Sequence, residues 1–266
     1  MSGSLLEIKK KIKAVKNTRK ITKAMQLVAA SKMRQFQKKA VSSRQYAWDL
    51  LTVFERGLQR DTATSLMEQR ESGTTVFVLY SSDKGLCGAL NSRMIKTLFQ
   101  SDEWNSTPKD ERVLVTIGKK SLDYARYNEI DVVKSFNSLP EKFRSIDALD
   151  IVDALLDLWE KGAKRIVMVA PHYKNSLVFY PVMKTFLPFS LDMVREHLNI
   201  EALQGEEGVN VDGDMTVEPP MIYEPNQERF HEVLIELIVN SLFVQSFFEL
   251  KAAEYSSRMI AMQNAT

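Results

Sequence analysis

The segment Ser81–Gly88 has residue types that bind phosphate or support nucleophilic chemistry: two serines, an aspartate, a lysine, a cysteine and two glycines. Loops of this kind hold phosphates when they connect a strand to a helix N-terminus. This loop contains neither G-x-G-x-x-G nor G-x-x-x-x-G-K-[ST], and a second loop, Gly118–Ser121, has Lys120 where the latter motif requires Ser or Thr. We therefore interpret Ser81–Gly88 as a tight turn that packs against a helix.

A thiol nucleophile requires a neighbouring base, and the chain has one cysteine, Cys87. The histidines fall in three different predicted elements: His172, His197 and His231. We predict that Cys87 is a small loop or core residue. Cysteine and histidine also lack zinc-ligand spacing, so the sequence predicts no metal and no cofactor.

The N-terminal segment is strongly basic. It contains thirteen cations and one acid, Glu7. The cations are Lys9, Lys10, Lys11, Lys13, Lys16, Arg19, Lys20, Lys23, Lys32, Arg34, Lys38, Lys39 and Arg44. Because like charges this close repel, we expect a negatively charged partner beside them. Nucleic acid would qualify, but no aromatic residue precedes Phe36 and no base-reading module accompanies the segment.

Composition narrows the class of protein. The formal net charge of the 266 residues is +2, which argues against general coating of nucleic acid. A single cysteine fits a reducing compartment. The sequence shows no signal peptide and no uninterrupted apolar run of about 18 residues, so we expect membrane association only through partners.

Two long helices must position these residues. Residues 4 to 56 contain no Gly or Pro, and an apolar stripe recurs there in steps of three and four residues. It comprises Ile8, Ile12, Val15, Thr18, Thr22, Met25, Ala29, Met33, Phe36, Ala40, Ser43, Ala47, Leu50, Phe54 and Leu58. A second such segment follows the predicted N-cap Asn226 and carries Phe230, Leu234, Leu237, Ser241, Val244, Phe248, Ala252, Tyr255, Met259, Met262 and Thr266. Because a helix of roughly 80 Å needs a partner, we predict an antiparallel coiled coil of residues 1–58 and 225–266.

Between the helices the pattern changes to alternating strands and helices, which predicts a small Rossmann-like, mainly parallel α/β domain over residues 74–224. The predicted strands are 74–80, 112–117, 165–170, 177–186 and 221–223, and the predicted helices are 86–100, 119–127 and 145–161. Residues 201–220, rich in Gly, Glu, Asp and Pro, are predicted to form a loop.

Three segments resemble the gamma subunits of F-type ATP synthases. Ile21–Arg34, reading ITKAMQLVAASKMR, is similar to the N-terminal shaft motif of that family, and Ser257–Thr266, reading SRMIAMQNAT, to its C-terminal shaft motif. Ser81–Asn91, with the centre GLCG, resembles the first βα loop of the family. The matches occur in the correct order and span nearly the whole chain.

The resemblance implies a central-stalk rotor without catalytic activity of its own. The coiled coil would insert into a hexamer of alpha and beta subunits, and the α/β domain would join the epsilon subunit and the membrane c-ring. Ion flow through the ring would then turn the shaft and change each beta subunit in sequence. The expected location is the cytoplasmic face of the bacterial plasma membrane.

The resemblance also assigns contact residues. Met25 matches a shaft methionine near a beta-subunit loop, Glu254 and Arg258 match a C-terminal region that faces beta, and Lys11 and Lys23 are expected to contact acidic loops. Core packing explains Met25 equally well, and Glu254 with Arg258 forms an i,i+4 pair that is ordinary helix support.

Two other functions stay open at this point. One is a basic coiled coil that binds nucleic acid or acts as a scaffold, and the other is a small nucleotide-dependent enzyme built on the α/β domain.

Family members continue the terminal helix for several turns past the motif that ends here at Thr266, and from this we expect weaker assembly.

Overall fold

The computed structural model describes residues 2–57, 64–140, 143–144, 146–173, 179–198, 222–224 and 226–266. Its helices are α1 Ser2–Gly57, α2 Leu90–Phe99, α3 Asp102–Ser106, α4 Lys119–Tyr127, α5 Ile146–Glu160, α6 Leu191–Leu198 and α7 Gln227–Asn264, with a 3-10 turn at Ser65–Met67. Its strands are β1 Thr74–Tyr80, β2 Arg112–Ile117, β3 Lys134–Phe136, β4 Ala163–Tyr173 and β5 Phe179–Leu187.

The five strands form one sheet in the order β3-β2-β1-β4-β5. β1 pairs in parallel with both β2 and β4, β2 pairs in parallel with β3, and β5 pairs antiparallel with β4 at one edge. The predicted mainly parallel α/β domain is therefore confirmed. β1 is buried on both faces, as expected for a central parallel strand.

Alternate residues of β1 divide the core into two layers. Val76, Val78 and Tyr80 face a large cluster that includes α5 and both long helices. Phe77 and Leu79 face the opposite cluster, which includes α2 and Trp104. The coiled coil and the sheet thus share one hydrophobic core, and the division at residues 58, 74 and 225 stays a prediction.

The coiled coil is antiparallel, as predicted. Going along α1, Thr22 lies beside Thr266, Phe36 beside Tyr255 and Phe54 beside His231, so the order is reversed in α7. Asn226 is the N-cap of α7, since its side chain accepts a hydrogen bond from the backbone N–H of Arg229 at 2.8 Å.

The predicted stripe of α1 is buried only in part. It is buried at Thr22, Ala29, Met33, Phe36, Ala40, Ala47 and Phe54, and the fully buried neighbour is Leu51 rather than Leu50. Ile8, Ile12 and Val15 are at least half exposed, whereas Thr22 is buried and its hydroxyl lies 2.8 Å from that of Thr266. Residues 5–21 of α1 therefore project from the rest of the described structure.

α7 is more apolar than a coiled coil requires because it packs against both α1 and the sheet. One stretch of it is long and apolar enough to cross a membrane, which the sequence analysis did not identify, but 72% of that stretch is buried inside the fold. Leu237 of its predicted stripe is largely exposed, whereas Leu234 and Ile238 are buried. The composition of α7 is that of a core helix.

Several local predictions were wrong. The helix expected from Leu86 begins at Leu90, since Leu86 has a positive φ of 63°. Ile222 and Tyr223 are not in a strand, and Met221 lies outside the described residues, as do 177–178 and 201–220. The short elements β3, α3 and α6 were not predicted, because three to eight residues carry too little periodicity to stand out.

Candidate functional site

A groove of about 730 Å³ lies where the coiled coil meets the α/β domain. We call it the junction groove. One wall is α1 with Met25, the other is α7 with Glu254 and Arg258, and residues 83–86 and 138–140 close the domain side. Met25 and Leu86 are 43% and 63% exposed. The groove is therefore an open, mostly apolar surface, and charged residues line each of its sides.

Glu254 is a buried carboxylate in the α7 wall, 4% exposed. Its Oε1 accepts a hydrogen bond from Arg258 at 2.8 Å. Its Oε2 accepts hydrogen bonds from Lys251 Nζ at 3.0 Å and from the Tyr80 hydroxyl at 3.1 Å. Three donors around one buried carboxylate satisfy its charge and fix its orientation.

The pKa values follow from this arrangement. Burial alone would raise the pKa of Glu254, but the Lys251 and Arg258 charges outweigh it and hold the pKa below its ordinary value. Burial, together with the Glu254 charge, raises the pKa of Tyr80 well above 10. At neutral pH the carboxylate is therefore ionised and the phenol donates a proton to the hydrogen bond.

Arg258 connects the α7 wall of the groove to the loop on the domain side. Besides Glu254, its guanidinium lies 3.5 Å from the carbonyl oxygens of Lys84 and Gly85 in the domain loop. It also lies 5.2 Å from the centre of the Tyr255 ring. Because the side chain is only partly buried, one surface of the guanidinium faces the groove.

The other two predicted contact residues lie outside the groove. Lys11 forms an i,i+4 pair with Glu7 at 3.3 Å, and both side chains are mostly exposed. Lys23 donates to Gln26 Oε1 at 3.1 Å on the exposed surface of α1. The structure thus brings Met25, Glu254 and Arg258 together and leaves Lys11 and Lys23 on the solvent face.

The basic segment of α1 divides into two parts. Near the domain its cations pack against the fold: Arg44 pairs with Glu249, Lys39 donates to the Phe143 carbonyl at 3.3 Å, and Lys32 lies over the Tyr255 ring. Every side chain from residue 5 to residue 21 is exposed. The unexplained positive charge is therefore concentrated in the projecting turns.

The two loops that suggested phosphate binding bind each other. The backbone N–H groups of Lys119 and Ser138 donate to Asp83 Oδ1 at 3.0 and 3.2 Å, and Ser121 donates to Ser81 Oγ at 2.7 Å. Gly118 has φ +92°, and a Cβ there would lie 2.0 Å from the Ser81 carbonyl oxygen. The start of α4, where an anion would bind, is occupied by the chain's own carboxylate.

Cys87 is buried in the core cluster on the α2 side of the sheet, as predicted. Its neighbours are the Ser82 hydroxyl and the Asn91 amide, at 3.4 and 3.3 Å. His197 and His231 pack elsewhere, against Phe186 and Phe54. In the described ranges no group of three or more His, Cys, Asp or Glu residues is placed to hold a metal ion.

Sequence reasoning missed two members of the Glu254 cluster. Lys251 lies three residues before Glu254, so helical spacing would have found it. Tyr80 is 174 residues away from Glu254 in the sequence, where its pattern indicates only an ordinary aromatic residue of a strand. Its contact with Glu254 depends on how α7 crosses the end of β1, which no local pattern encodes.

The sequence is similar to known proteins over nearly its whole length. A family model described as ATP synthase matches residues 4–266. An ATP synthase gamma chain of Synechococcus sp. (strain RCC307) is 32% identical over 278 residues, covering 99% of this chain and 88% of the relative. That of Symbiobacterium thermophilum is 30% identical, covering 100% and 87%.

Among solved structures, a chain in the central stalk and c-ring of Tetrahymena thermophila mitochondrial ATP synthase has the same fold. The TM-score is 0.65 at 24% identity, over 92% of this chain and 99% of that chain. A rotor chain of the Euglena gracilis mitochondrial enzyme has a TM-score of 0.61 at 17% identity, over 99% and 91%. With the nearly full-length family match, these findings show that the chain belongs to the gamma-chain family of ATP synthases.

Proposed function

We propose that this chain turns as the central-stalk shaft and transmits torque between a membrane ion ring and the catalytic subunits, without catalysing a reaction itself. The gamma-chain relatives and the rotor structures of the same fold support the central-stalk role. The observation that carries the mechanism is a two-helix rod anchored in the α/β domain at one end and projecting at the other. Such a rod resists twisting along its anchored length, and an asymmetric rod favours different conformations in the subunits around it.

The absence of catalysis is supported by how α7 crosses the sheet. In doubly wound α/β folds, ligands bind outside the carboxyl ends of the strands where the strand order reverses. Here β1 is the strand between β2 and β4, and its last residue, Tyr80, is covered by Glu254 of α7. The shaft occupies the place where a small-molecule substrate would bind.

Each partner is assigned to one surface of the chain in this proposal. The junction groove, with Met25 and Arg258, contacts beta subunits, and Glu254 holds Arg258 in place for that contact. The exposed basic turns with Lys11 and Lys23 face acidic loops of the alpha and beta hexamer, which favours fast association and sliding over one tight ion pair. The α/β domain joins the epsilon subunit and the c-ring, so the chain lies at the cytoplasmic face of the membrane through its partners.

The test is co-expression with the alpha and beta subunits of the same organism and measurement of ATP hydrolysis by the purified complex. We expect one copy of the chain per complex and lower turnover with Arg258→Ala. Arg229→Ala is the matched control, because Arg229 forms an exposed i,i+3 pair with Glu232 near the other end of α7. Equal turnover of both variants would contradict the assigned role of Arg258.

The competing function, nucleic-acid binding through the basic segment, is tested on the purified chain. Electrostatic binding to generic DNA would weaken steeply with salt. We expect no such binding at about 150 mM salt. Tight, salt-sensitive binding together with failure to assemble with alpha and beta would replace the shaft proposal.

A further inference from the structure

We infer that Tyr80 is a positioning residue, which holds the Glu254 side chain of α7 in one orientation and thereby places Arg258 for its partner contact. The inference rests on the proposed function, since it concerns how Arg258 reaches a partner. Tyr80 is the last residue of β1 and is 1% exposed.

The three hydrogen-bond donors to Glu254 come from two different elements. Lys251 and Arg258 lie on α7 itself, three residues before and four residues after Glu254. If α7 rotated or slid, these two donors would move with the carboxylate and their bonds would survive. Tyr80 is the one donor of the three that belongs to another element. Of the three hydrogen bonds, only the one from Tyr80 therefore depends on the position of α7 relative to the sheet.

Tyr80 is well suited to act as a fixed reference. β1 has parallel neighbours on both sides, and Tyr80 is in register with Ile117 of β2. Its ring packs edge to face on Phe247 of α7, with 6.2 Å between ring centres. The hydroxyl is therefore held by backbone pairing and ring packing before it meets the carboxylate.

The geometry then transmits this position to Arg258. With Oε2 held by Tyr80, Oε1 of Glu254 is directed to Arg258 at 2.8 Å. A glutamate side chain without that anchor would sample other rotamers. The guanidinium would lose its fixed place between Glu254 and the loop carbonyls of Lys84 and Gly85.

The experiment is a double-mutant cycle on ATP hydrolysis by the complex assembled with alpha and beta subunits, using Tyr80→Phe and Arg258→Ala. Tyr80→Phe keeps the buried ring and removes only the hydroxyl. We expect turnover about threefold lower with Tyr80→Phe alone and no further loss when it is added to Arg258→Ala, because residues acting through one contact are not additive. Tyr127→Phe is the matched control, since Tyr127 is 89% exposed.

Each outcome decides something. Equal losses from Tyr80→Phe in both backgrounds, or no loss in either, overturn the inference, whereas Arg258→Ala would still report on the proposed function. No loss from Arg258→Ala overturns the inference together with the assigned role of Arg258, while the shaft function is tested separately by assembly with the alpha and beta subunits. Thermal denaturation of each free variant chain identifies a folding defect. Glu254→Gln gives a second test: as in the Arg258→Ala background, we expect no further loss of turnover when Tyr80→Phe is added to it.

Discussion

The coiled coil has two regions that differ in what surrounds them. Beside the domain, α1 from Phe36 to Phe54 packs against α7 and the sheet in one core, with aromatic contacts such as Phe36 on Tyr255 and Phe54 on Phe189. We call this the anchored segment. Residues 5–21 of α1, the projecting segment, are exposed on all sides. One continuous helix thus passes from a protein interior into solvent.

The difference indicates that one region stabilises the fold and that the other is available for contact with partners. In the anchored segment, apolar side chains pack against other parts of the chain and cations form contacts within the fold. Arg44, for example, forms an ion pair with Glu249. In the projecting segment the same stripe continues through Ile8, Ile12 and Val15 without such pairing, and the cations face water. Changes in the first region should affect folding, and changes in the second should affect assembly.

The largest expected effect comes from Phe54→Ala. Phe54 is fully buried between Phe189 and His231, at ring-centre distances of 5.4 and 5.9 Å. Removing the ring should lower the free energy of unfolding of the chain by about 4 kcal/mol, measured by urea denaturation. Ile12→Ala, at a half-exposed position, is the control and should change it by less than about 0.5 kcal/mol. Similar losses for the two variants would remove the distinction between the segments.

Acid should also destabilise the core that contains the anchored segment, through His197 of α6. Burial, with the nearby Lys184 charge, lowers the pKa of His197 from 6.5 to about 4. Because the folded chain holds this imidazole neutral, His197 stabilises the fold fully above pH 6.5. That contribution is lost as the pH falls through 4. The full shift corresponds to about 3 kcal/mol, to be checked by urea denaturation between pH 7 and pH 4. His197→Leu should flatten that pH dependence; an unchanged profile would show that another group is responsible.

Glu249→Gln should weaken the attachment of α7 to α1. It leaves the Arg44 guanidinium without a charged partner in a mostly buried site, where Glu249 also accepts from Gln245. We expect the free energy of unfolding to fall by about 2 kcal/mol, measured by denaturant titration. Glu7→Gln, which removes the exposed Lys11 pair, is the control and should have no measurable effect.

The smallest effect on stability is expected for two exposed cations of α1, Lys11 in the projecting segment and Lys23 just beyond it. Lys11→Ala with Lys23→Ala should change the free energy of unfolding by less than about 0.5 kcal/mol. The same pair should slow association with the alpha and beta subunits and reduce its salt dependence, measured by stopped-flow mixing. If association is unchanged while stability falls, the charges serve the fold and not a partner.

Much of the architecture could be predicted from the sequence, because its signals are local or strictly periodic. The strands 74–80 and 112–117 and the helix at 119–127 were predicted with the observed bounds. The N-cap at Asn226 also follows from side-chain type alone. The extent of burial did not follow, as Met25 and Val15 share one stripe with the buried Ala29 and Phe36.

The candidate site was predictable only in part. Glu254 and Arg258 are four residues apart on one helix, so their pairing was expected. The burial of the Glu254 carboxylate against Tyr80 joins residues that are 174 positions apart. The hydrogen bonds that Asp83 accepts join residues that are 36 or more positions apart. Resemblance to the gamma chains supplied the proposed contact residues but not these internal hydrogen bonds.

The sequence by itself determined the two long amphipathic helices, the alternation that produces a parallel sheet, the basic N-terminal segment and the family, because each depends on residue type, spacing and order along the chain. Only the tertiary structure decided which turns of the stripe find a partner, where α7 crosses β1 and which charges are buried. Those features depend on the relative placement of elements distant in sequence, which is set by packing of the whole core and not by any local pattern.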